Sequence, residues 1–249
     1  ICTDDKHPSD LLEKGHIDYI AREAINKYGV DPIIAVKAAC HHASRYFLLN
    51  NRGAIAPGYL ADFAVIDNFK DFNVEMVFKK GVLYWNNGEL RDFDAPQIEE
   101  YLDKRAHATF HVAPLTPDDF RDTRQRGALG MVPGEIITTD NGYADHVDLE
   151  KDILKIAVVE RHKGTHHIGL GYIQGYGLRS GAVATSISHD SHNIIVVGTN
   201  SADMAFAANY IVEHHGGIVV VENGVVEGSV VLEIAGLMSD RPQHKETAH

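Results

Sequence analysis

Two short apolar runs at 182–188 and 194–197, separated by a polar pentad, constrain the fold of this chain more than any other stretch. Both runs are partly β-branched, and Gly181 and Gly198 bound them, so they predict two buried strands joined by a loop. Short hairpin loops usually contain glycine because one position needs a positive φ, yet the pentad His189-Asp-Ser-His-Asn193 contains none. The pattern therefore predicts a hairpin that presents two imidazoles and a carboxylate.

The pentad has two interpretations. Asp190 and Asn193 can shape a turn by accepting backbone hydrogen bonds, which explains both residues without any function. That account does not explain His189 and His192, because imidazoles beside a carboxylate on a rigid scaffold commonly form metal or proton-transfer sites. The residues alone leave both interpretations open.

Composition limits the partners of the chain. The formal net charge of −12 over 249 residues argues against nucleic acid or an anionic membrane surface as the main partner, since both attract clustered Lys and Arg. A neutral or cationic small molecule fits better. With 44% hydrophobic and 23% charged residues, the chain has enough apolar material for one or two folded domains.

The cysteines and the N-terminus give two further expectations. Cys2 and Cys40 are far apart and form no CxxC motif, so neither a disulfide framework nor a cysteine-rich zinc site is expected, and a reducing cytoplasm fits. No apolar run approaches the roughly 18 residues that span a bilayer. Because the chain opens on Ile1 and enters a polar motif at once, we expect it to be a C-terminal fragment of a longer protein.

The first half of the chain predicts a βα unit, a second helix and then a small β-domain. The predicted elements are a strand end at 1–3, a helix from about Ser9 or Asp10 to Gly29, a helix from Asp31-Pro32 to about Phe47, a strand at 63–66, and strands at 74–79 and 82–85 that form a hairpin around Lys80-Gly81. The segment 86–122 is polar and poorly periodic, and we interpret it as a connection with edge strands.

The last hundred residues predict an α+β domain. Its predicted elements are strands at 153–160, 168–173, 182–188 and 194–197, a helix at 201–214 capped by Ser201, and a hairpin of 218–222 with 225–232 around Asn223-Gly224.

Several stretches together resemble the bacterial and archaeal adenine deaminases of the amidohydrolase superfamily. They are Cys2-Thr-Asp-Asp-Lys-His-Pro8, Gly53-Ala-Ile-Ala-Pro-Gly-Tyr-Leu-Ala-Asp62, Ile156–His162, Ser188–Asn193 and Ile234–Asp240. The resemblance implies a fold that is α/β and α+β. Residues 1–50 would be the last βα unit of a metal-dependent (β/α)8 barrel, 51–122 part of a small β-sandwich with a connection, and 123–249 the family's C-terminal α+β domain.

The resemblance also implies a site. Asp4 occupies the position of the carboxylate that ends the eighth barrel strand, where it would ligate a divalent metal and take a proton from the attacking water. Asp5 would contact the purine or cap the next helix. The residues alone favour a simple cap before Pro8 for this acidic pair.

His189, Asp190 and His192 are the other predicted substrate contacts, over the mouth of the barrel. The implied substrate is adenine, in purine salvage or adenine catabolism, and the implied cofactor is a divalent metal, with manganese preferred and iron or zinc as alternatives. We expect a cytoplasmic homo-oligomer with no nucleic-acid or membrane partner.

The chain lacks the other metal ligands that the resemblance implies. Neighbouring histidines on a helix or strand point in different directions, so the pairs 41–42, 166–167 and 214–215 are not expected to chelate. We therefore expect the chain to have no deaminase activity alone. Two rival interpretations remain: another amidohydrolase, such as a deacetylase or cyclic amidase, and a non-catalytic purine-binding or assembly domain.

Overall fold

The computed structural model describes residues 1–241 except 5, 7, 94, 95, 122 and 123. The chain is a mixed α/β protein, and it forms two compact units, Ile1–Pro96 and Gln97–His249. We call them the N-terminal unit and the C-terminal unit. No helix in the described part of the chain is both long and apolar enough to cross a membrane.

The N-terminal unit consists of a helical segment followed by an antiparallel sheet. Its helices are α1 (Pro8–Lys14), α2 (Ile17–Asn26), α3 (Pro32–Ala39) and α4 (His41–Tyr46). Its strands, in their order in the sheet, are β1 (Phe63–Ile66), β2 (Val74–Lys79), β3 (Val82–Asn86) and β4 (Glu89–Leu90). The predicted hairpin at 74–85 is confirmed, and Lys80 and Gly81 both have positive φ at its turn.

Each of the two predicted helices is split in the structure. The first breaks between α1 and α2, where Gly15 has φ of 99° and the Asp18 carboxylate accepts the His16 N–H. The second breaks at Cys40, between α3 and α4. The predicted start at Asp31 is confirmed, because its carboxylate caps α3 by accepting the N–H groups of Ile33 and Ile34.

The predicted strand end at residues 1–3 is wrong for this structure. A strand requires a hydrogen-bonded neighbour, and none of the described strands pairs with residues 1–4. The segment is instead tied to the helices, since the Ile1 ammonium donates to the Ala38 carbonyl oxygen and Thr3 Oγ1 lies 3.1 Å from His16 Nε2.

The C-terminal unit is built on one large sheet. Its elements are α5 (Glu100–His107), a 3-10 turn (Pro117–Phe120), β5 (Arg126–Met131), β6 (Thr138–Ala144), β7 (Ile153–Val159), β8 (Ile168–Gln174), β9 (Ala182–Thr185), β10 (Ile194–Gly198), α6 (Ser201–Glu213), β11 (Gly217–Glu222) and β12 (Val225–Val231). The order in the sheet is β12-β11-β9-β10-β7-β8-β5-β6, and only the β5–β8 pair is parallel.

Helix α6 covers one face of this sheet and closes the main core. Met204, Ala208 and Ile211 form the apolar stripe that the helical spacing predicts, and all three are buried. They pack with inward residues of the central strands, including Val196 and Val219. The helix-on-sheet layer gives the C-terminal unit a core of its own.

The cap of α6 corrects one prediction. Asn200, rather than Ser201, is the N-cap, because its backbone is extended and its side-chain oxygen accepts the Asp203 N–H at 2.8 Å. Asp203 is itself buried, and its carboxylate accepts the N–H groups of Asn223 and Gly224. The helix therefore also fixes the predicted β11–β12 hairpin.

Sequence patterns missed α5, β5 and β6. The edge strands predicted between 86 and 122 are confirmed in part, since β4 lies at the edge of the first sheet, but residues 100–107 form helix α5. None of its side chains is buried, and the β6 residues are almost all exposed. Without a buried face, neither element produces the apolar periodicity on which the predictions depend.

Candidate functional site

Asp4 lies in the segment that precedes α1. Its side chain is exposed, its φ is +50°, and its backbone carbonyl accepts the Lys6 N–H at 2.8 Å in a tight turn. Asp5, the second predicted acid, lies outside the described residues. An exposed carboxylate with no hydrogen bond from any described residue is chemically suited to serve as one oxygen ligand of a divalent cation.

The described part of the chain does not assemble a complete metal site. No group of three or more His, Cys, Asp and Glu side chains in it has the geometry to hold a metal ion. Two of the paired histidines contact other groups, since His166 Nε2 lies 3.1 Å from Asp119 Oδ1 and His214 Nδ1 lies 2.9 Å from the Tyr210 carbonyl oxygen. Asp4 therefore fits a metal as a single contributor, to which other ligands would have to be added.

The predicted hairpin of β9 and β10 is confirmed, but its loop is longer than the pentad. The strands pair antiparallel with Ile195 opposite Thr185, and β9 ends at Thr185 instead of Ser188. Just beyond the strand, Ser186 donates its buried hydroxyl to the Gly236 carbonyl oxygen. We call residues 186–193 the hairpin loop.

The base of the hairpin loop is ordered by hydrogen bonds within the loop. The His192 N–H donates to the Ser188 carbonyl oxygen, and the hydroxyls of Ser188 and Ser191 lie 3.2 Å apart. Ser191 Oγ also accepts the Asn193 N–H. The serines thus shape the turn, whereas one of the two interpretations of the sequence gave this role to Asp190 and Asn193. Asn193 Oδ1 instead accepts a backbone N–H from outside the loop, that of Arg161.

The tip of the hairpin loop is the exposed pair His189 and Asp190. His189 Nε2 lies 2.7 Å from Asp190 Oδ1, and the two side chains are 69% and 86% exposed. The His192 ring lies across from the His189 ring, with centroids 6.3 Å apart and planes nearly perpendicular. The loop therefore brings all three predicted residues together, with the imidazole–carboxylate pair open to an incoming molecule.

His192 connects the exposed tip to the buried base. Its ring nitrogen Nδ1 is buried and has no hydrogen-bond partner among the described residues, while its backbone carbonyl accepts from the Arg161 guanidinium. A buried polar atom left unpaired is uncommon and is a frequent mark of a site that accepts a ligand or water.

Arg161 is the residue of this region that sequence analysis missed. It is only 2% exposed, at the end of β7, and it donates to the backbone oxygens of His192, Thr109 and Ala235. Its guanidinium also lies over the Phe110 ring, 4.3 Å from the centroid. Burial lowers the pKa of Arg161, but a guanidinium keeps its proton in proteins.

Glu160, the neighbour of Arg161, organises the turn that follows β7. Burial alone would raise the pKa of this carboxyl, but hydrogen bonds from the Thr165 hydroxyl and from the N–H groups of Thr165, Lys163 and His162 outweigh it and lower the pKa to about 2. The turn in this way positions His162, whose Nε2 lies 2.9 Å from the Ser191 carbonyl oxygen.

Three stretches that are far apart in the sequence therefore meet at one place. The 156–162 stretch supplies Arg161, the 188–193 stretch supplies most of the hairpin loop, and the 234–240 stretch supplies the Ala235 carbonyl. Gly236 is required there, since its φ is +73° and a Cβ would lie 3.0 Å from the Phe110 ring and 3.1 Å from Arg161 Nη2. These are the stretches that resemble the adenine deaminase C-terminal domain.

Comparison with known proteins gives a match over the region that contains these stretches. Residues 134–248 match the model of the adenine deaminase C-terminal domain, and residues 1–84 match that of the amidohydrolase family. The chain is 41% identical to an adenine deaminase of Kosmotoga olearia and 42% identical to one of Petrotoga mobilis, in each case over 96% of its own length. Over nearly its whole length the chain is therefore similar to adenine deaminases.

Further relatives carry the same name. An adenine deaminase 1 of Rhizobium etli is 38% identical over the whole chain. The chain spans 42%, 43% and 45% of the Kosmotoga, Petrotoga and Rhizobium proteins, which is less than half of each. The chain thus corresponds to a minor part of each relative's length, and its similarity to the amidohydrolase family and to adenine deaminases implies a divalent metal without specifying which one.

Proposed function

We propose that the protein carrying this chain is an adenine deaminase, which converts adenine and water to hypoxanthine and ammonia. Water adds to C6 of the purine, the bond from C6 to the exocyclic nitrogen breaks, and that nitrogen leaves as ammonia with the proton that water gives up. The observation that carries the proposal is the convergence of the family's C-terminal stretches on one exposed hairpin loop.

Asp4 would hold the metal as one of several ligands and accept the proton of the attacking water. A divalent metal supplies the remaining chemistry, since it lowers the pKa of bound water toward about 7. Manganese is our first choice, with iron and zinc as alternatives. Asp5 remains a proposed contact to the purine.

The hairpin loop would supply substrate contacts from the C-terminal unit. His189 and Asp190 are exposed, and their ring nitrogens and carboxylate can donate to and accept from the edge of a purine. His192 would complete the contact surface through its ring. An imidazole held by a carboxylate has a fixed orientation, which a catalytic contact requires.

We place these groups in a three-part architecture. Residues 1–50 would form the last βα unit of the barrel, 51–122 part of a β-sandwich with a connection, and 123–249 the C-terminal α+β domain. The large exposed apolar side chains of α4 and its surroundings support a barrel in which other elements cover this segment. We further propose a cytoplasmic homo-oligomer that acts in purine salvage.

Replacement of Asp4 tests the proposal. In a complete enzyme carrying this chain, Asp4→Ala should remove bound metal and adenine turnover together, as measured by elemental analysis and ammonia release. Glu13→Ala is the matched control, because Glu13 is an exposed acid on the neighbouring helix α1. Near wild-type turnover in Asp4→Ala would contradict the assignment.

The 249-residue chain by itself should release no ammonia from adenine, even with added manganese. A catalytic divalent cation needs about three protein ligands, and the described residues offer no such group. Measurable turnover by the purified chain would show that the ligand assignment is wrong.

A further inference from the structure

We propose that Arg161 is a positioning residue that holds the hairpin loop so that the His189–Asp190 tip faces the substrate. The proposal rests on the proposed function and extends it to a residue buried beneath the site. The motivating observation is the bond from Arg161 Nε to the His192 carbonyl oxygen, two residues from the tip pair.

The Arg161 guanidinium donates mainly to backbone oxygens and not to a carboxylate. Nη1 donates to Thr109 O and Oγ1 at 3.2 and 3.1 Å, and Nη2 donates to Ala235 O at 2.9 Å. No described carboxylate forms an ion pair with Arg161. Burying a charged group costs free energy unless its donors are hydrogen-bonded. An arginine at this position therefore indicates a role for its planar set of donors that a hydrophobic residue could not fill.

Ser186 anchors the N-terminal end of the loop, and the Arg161 side chain anchors its C-terminal half. The Arg161 N–H also approaches Asn193 Oδ1 at 3.4 Å, and the adjacent His162 contacts Ser191. The neighbouring residues 161 and 162 thus hold the loop at three successive residues, 191, 192 and 193. Among the described residues, the tip makes only its own His189–Asp190 pair and the ring contact of His189 with His192, so its direction is set by where this base is held.

Lysine cannot replace this arrangement. Its ammonium has three donors on a compact point charge, whereas Arg161 reaches three separate backbone segments in one plane. Arg161→Lys is therefore the informative variant, because it keeps the charge and removes the geometry. Arg179→Lys is the matched control, since Arg179 is exposed and donates to Leu149 O away from the loop.

Amide hydrogen exchange on the 249-residue chain tests the structural step. Arg161→Lys should raise exchange of the His192 amide about tenfold or more and leave the Val196 amide in β10 unchanged. Unchanged exchange at His192, or an equal rise at Val196, would overturn the proposal. If Arg161→Lys does not fold, Thr109→Val removes only one acceptor and should show a smaller rise confined to the same loop.

A double-mutant cycle in the complete enzyme tests the functional step. Arg161→Lys should lower kcat/KM for adenine about tenfold or more, and should have almost no further effect when His189→Ala is already present. A purely structural role would give the same loss in both backgrounds, and that result would overturn the proposal. If the enzyme does not act on adenine at all, the proposed function fails, and hydrogen exchange alone decides whether Arg161 holds the loop.

Discussion

The two units of the chain differ in how far their large apolar residues are buried. In the C-terminal unit, Phe120, Leu154 and Met204 are fully buried, whereas the buried hydrophobic residues among the described part of the N-terminal unit are only Ala21 and Ala35. The difference arises because α6 covers one face of the large sheet, and this helix layer gives the C-terminal unit a complete core. A unit that folds independently must bury its large apolar residues, and among the described residues only the C-terminal unit does so.

Many large apolar residues of the N-terminal unit are exposed, including several at the end of α4 and just after it. Phe47 is 69% exposed and Ile55 is 87% exposed, and Tyr46 and Leu48 are exposed beside them. Exposed apolar clusters of this kind in soluble proteins usually mark surfaces that other elements cover. The comparison therefore supports the proposal that residues 1–50 pack within a larger barrel.

Separating the units should give the largest effect. Residues 97–249 expressed alone should unfold in one cooperative transition, because their core is internal, whereas residues 1–96 alone should show no cooperative transition. Circular dichroism during urea unfolding measures both. A cooperative transition in 1–96, or its loss in 97–249, would break the comparison.

Matched phenylalanine substitutions, one in each unit, should measure the difference in burial between the two units. Phe120→Ala should lower the free energy of unfolding of the C-terminal unit by about 3–5 kcal/mol, because the side chain is fully buried. Phe47→Ala removes the same side chain from an exposed position and should change stability by less than about 0.5 kcal/mol. Similar values for the two variants in urea unfolding would contradict the difference in packing.

Acid titration should give the smallest and most local effect. Folding lowers the pKa of Glu160 from 4.5 to about 2, so the turn that its ionised carboxylate stabilises should be intact above pH 4.5 and be lost only as the pH falls through about 2. Carbon-13 NMR of the Glu160 carboxyl measures this midpoint. A midpoint at 4.5 would show that the four hydrogen bonds do not hold the turn. Glu160→Gln provides the control, since it should remove this titration.

Local patterns predicted the elements whose signals are internal to a short segment. The strand 63–66, the Lys80-Gly81 turn and the Asn223-Gly224 turn are confirmed, because alternation and turn residues determine them without distant contacts. Patterns failed at α5, where no face is buried, and at Gly15, where one residue in a left-handed conformation divides a helix.

The residues of the candidate site also differ in whether the sequence could predict them. Asp4 and the hairpin loop could be predicted from motif resemblance, and their roles remain proposals. Arg161 could not be predicted, because an arginine at the end of an apolar strand does not indicate which three backbone segments its side chain will contact. The only available signal was its position within the resembling stretch 156–162.

The central claim, that the tip of the hairpin loop contacts adenine, is tested most directly by kcat/KM of His189→Ala in the complete enzyme. The control is His146→Ala, because His146 forms an equally exposed pair with its neighbour Asp145 elsewhere in the same unit. We predict a loss of about tenfold or more for His189→Ala, equivalent to about 1.4 kcal/mol, with unchanged unfolding stability and wild-type kinetics in the control. Wild-type kinetics in His189→Ala would contradict the claim.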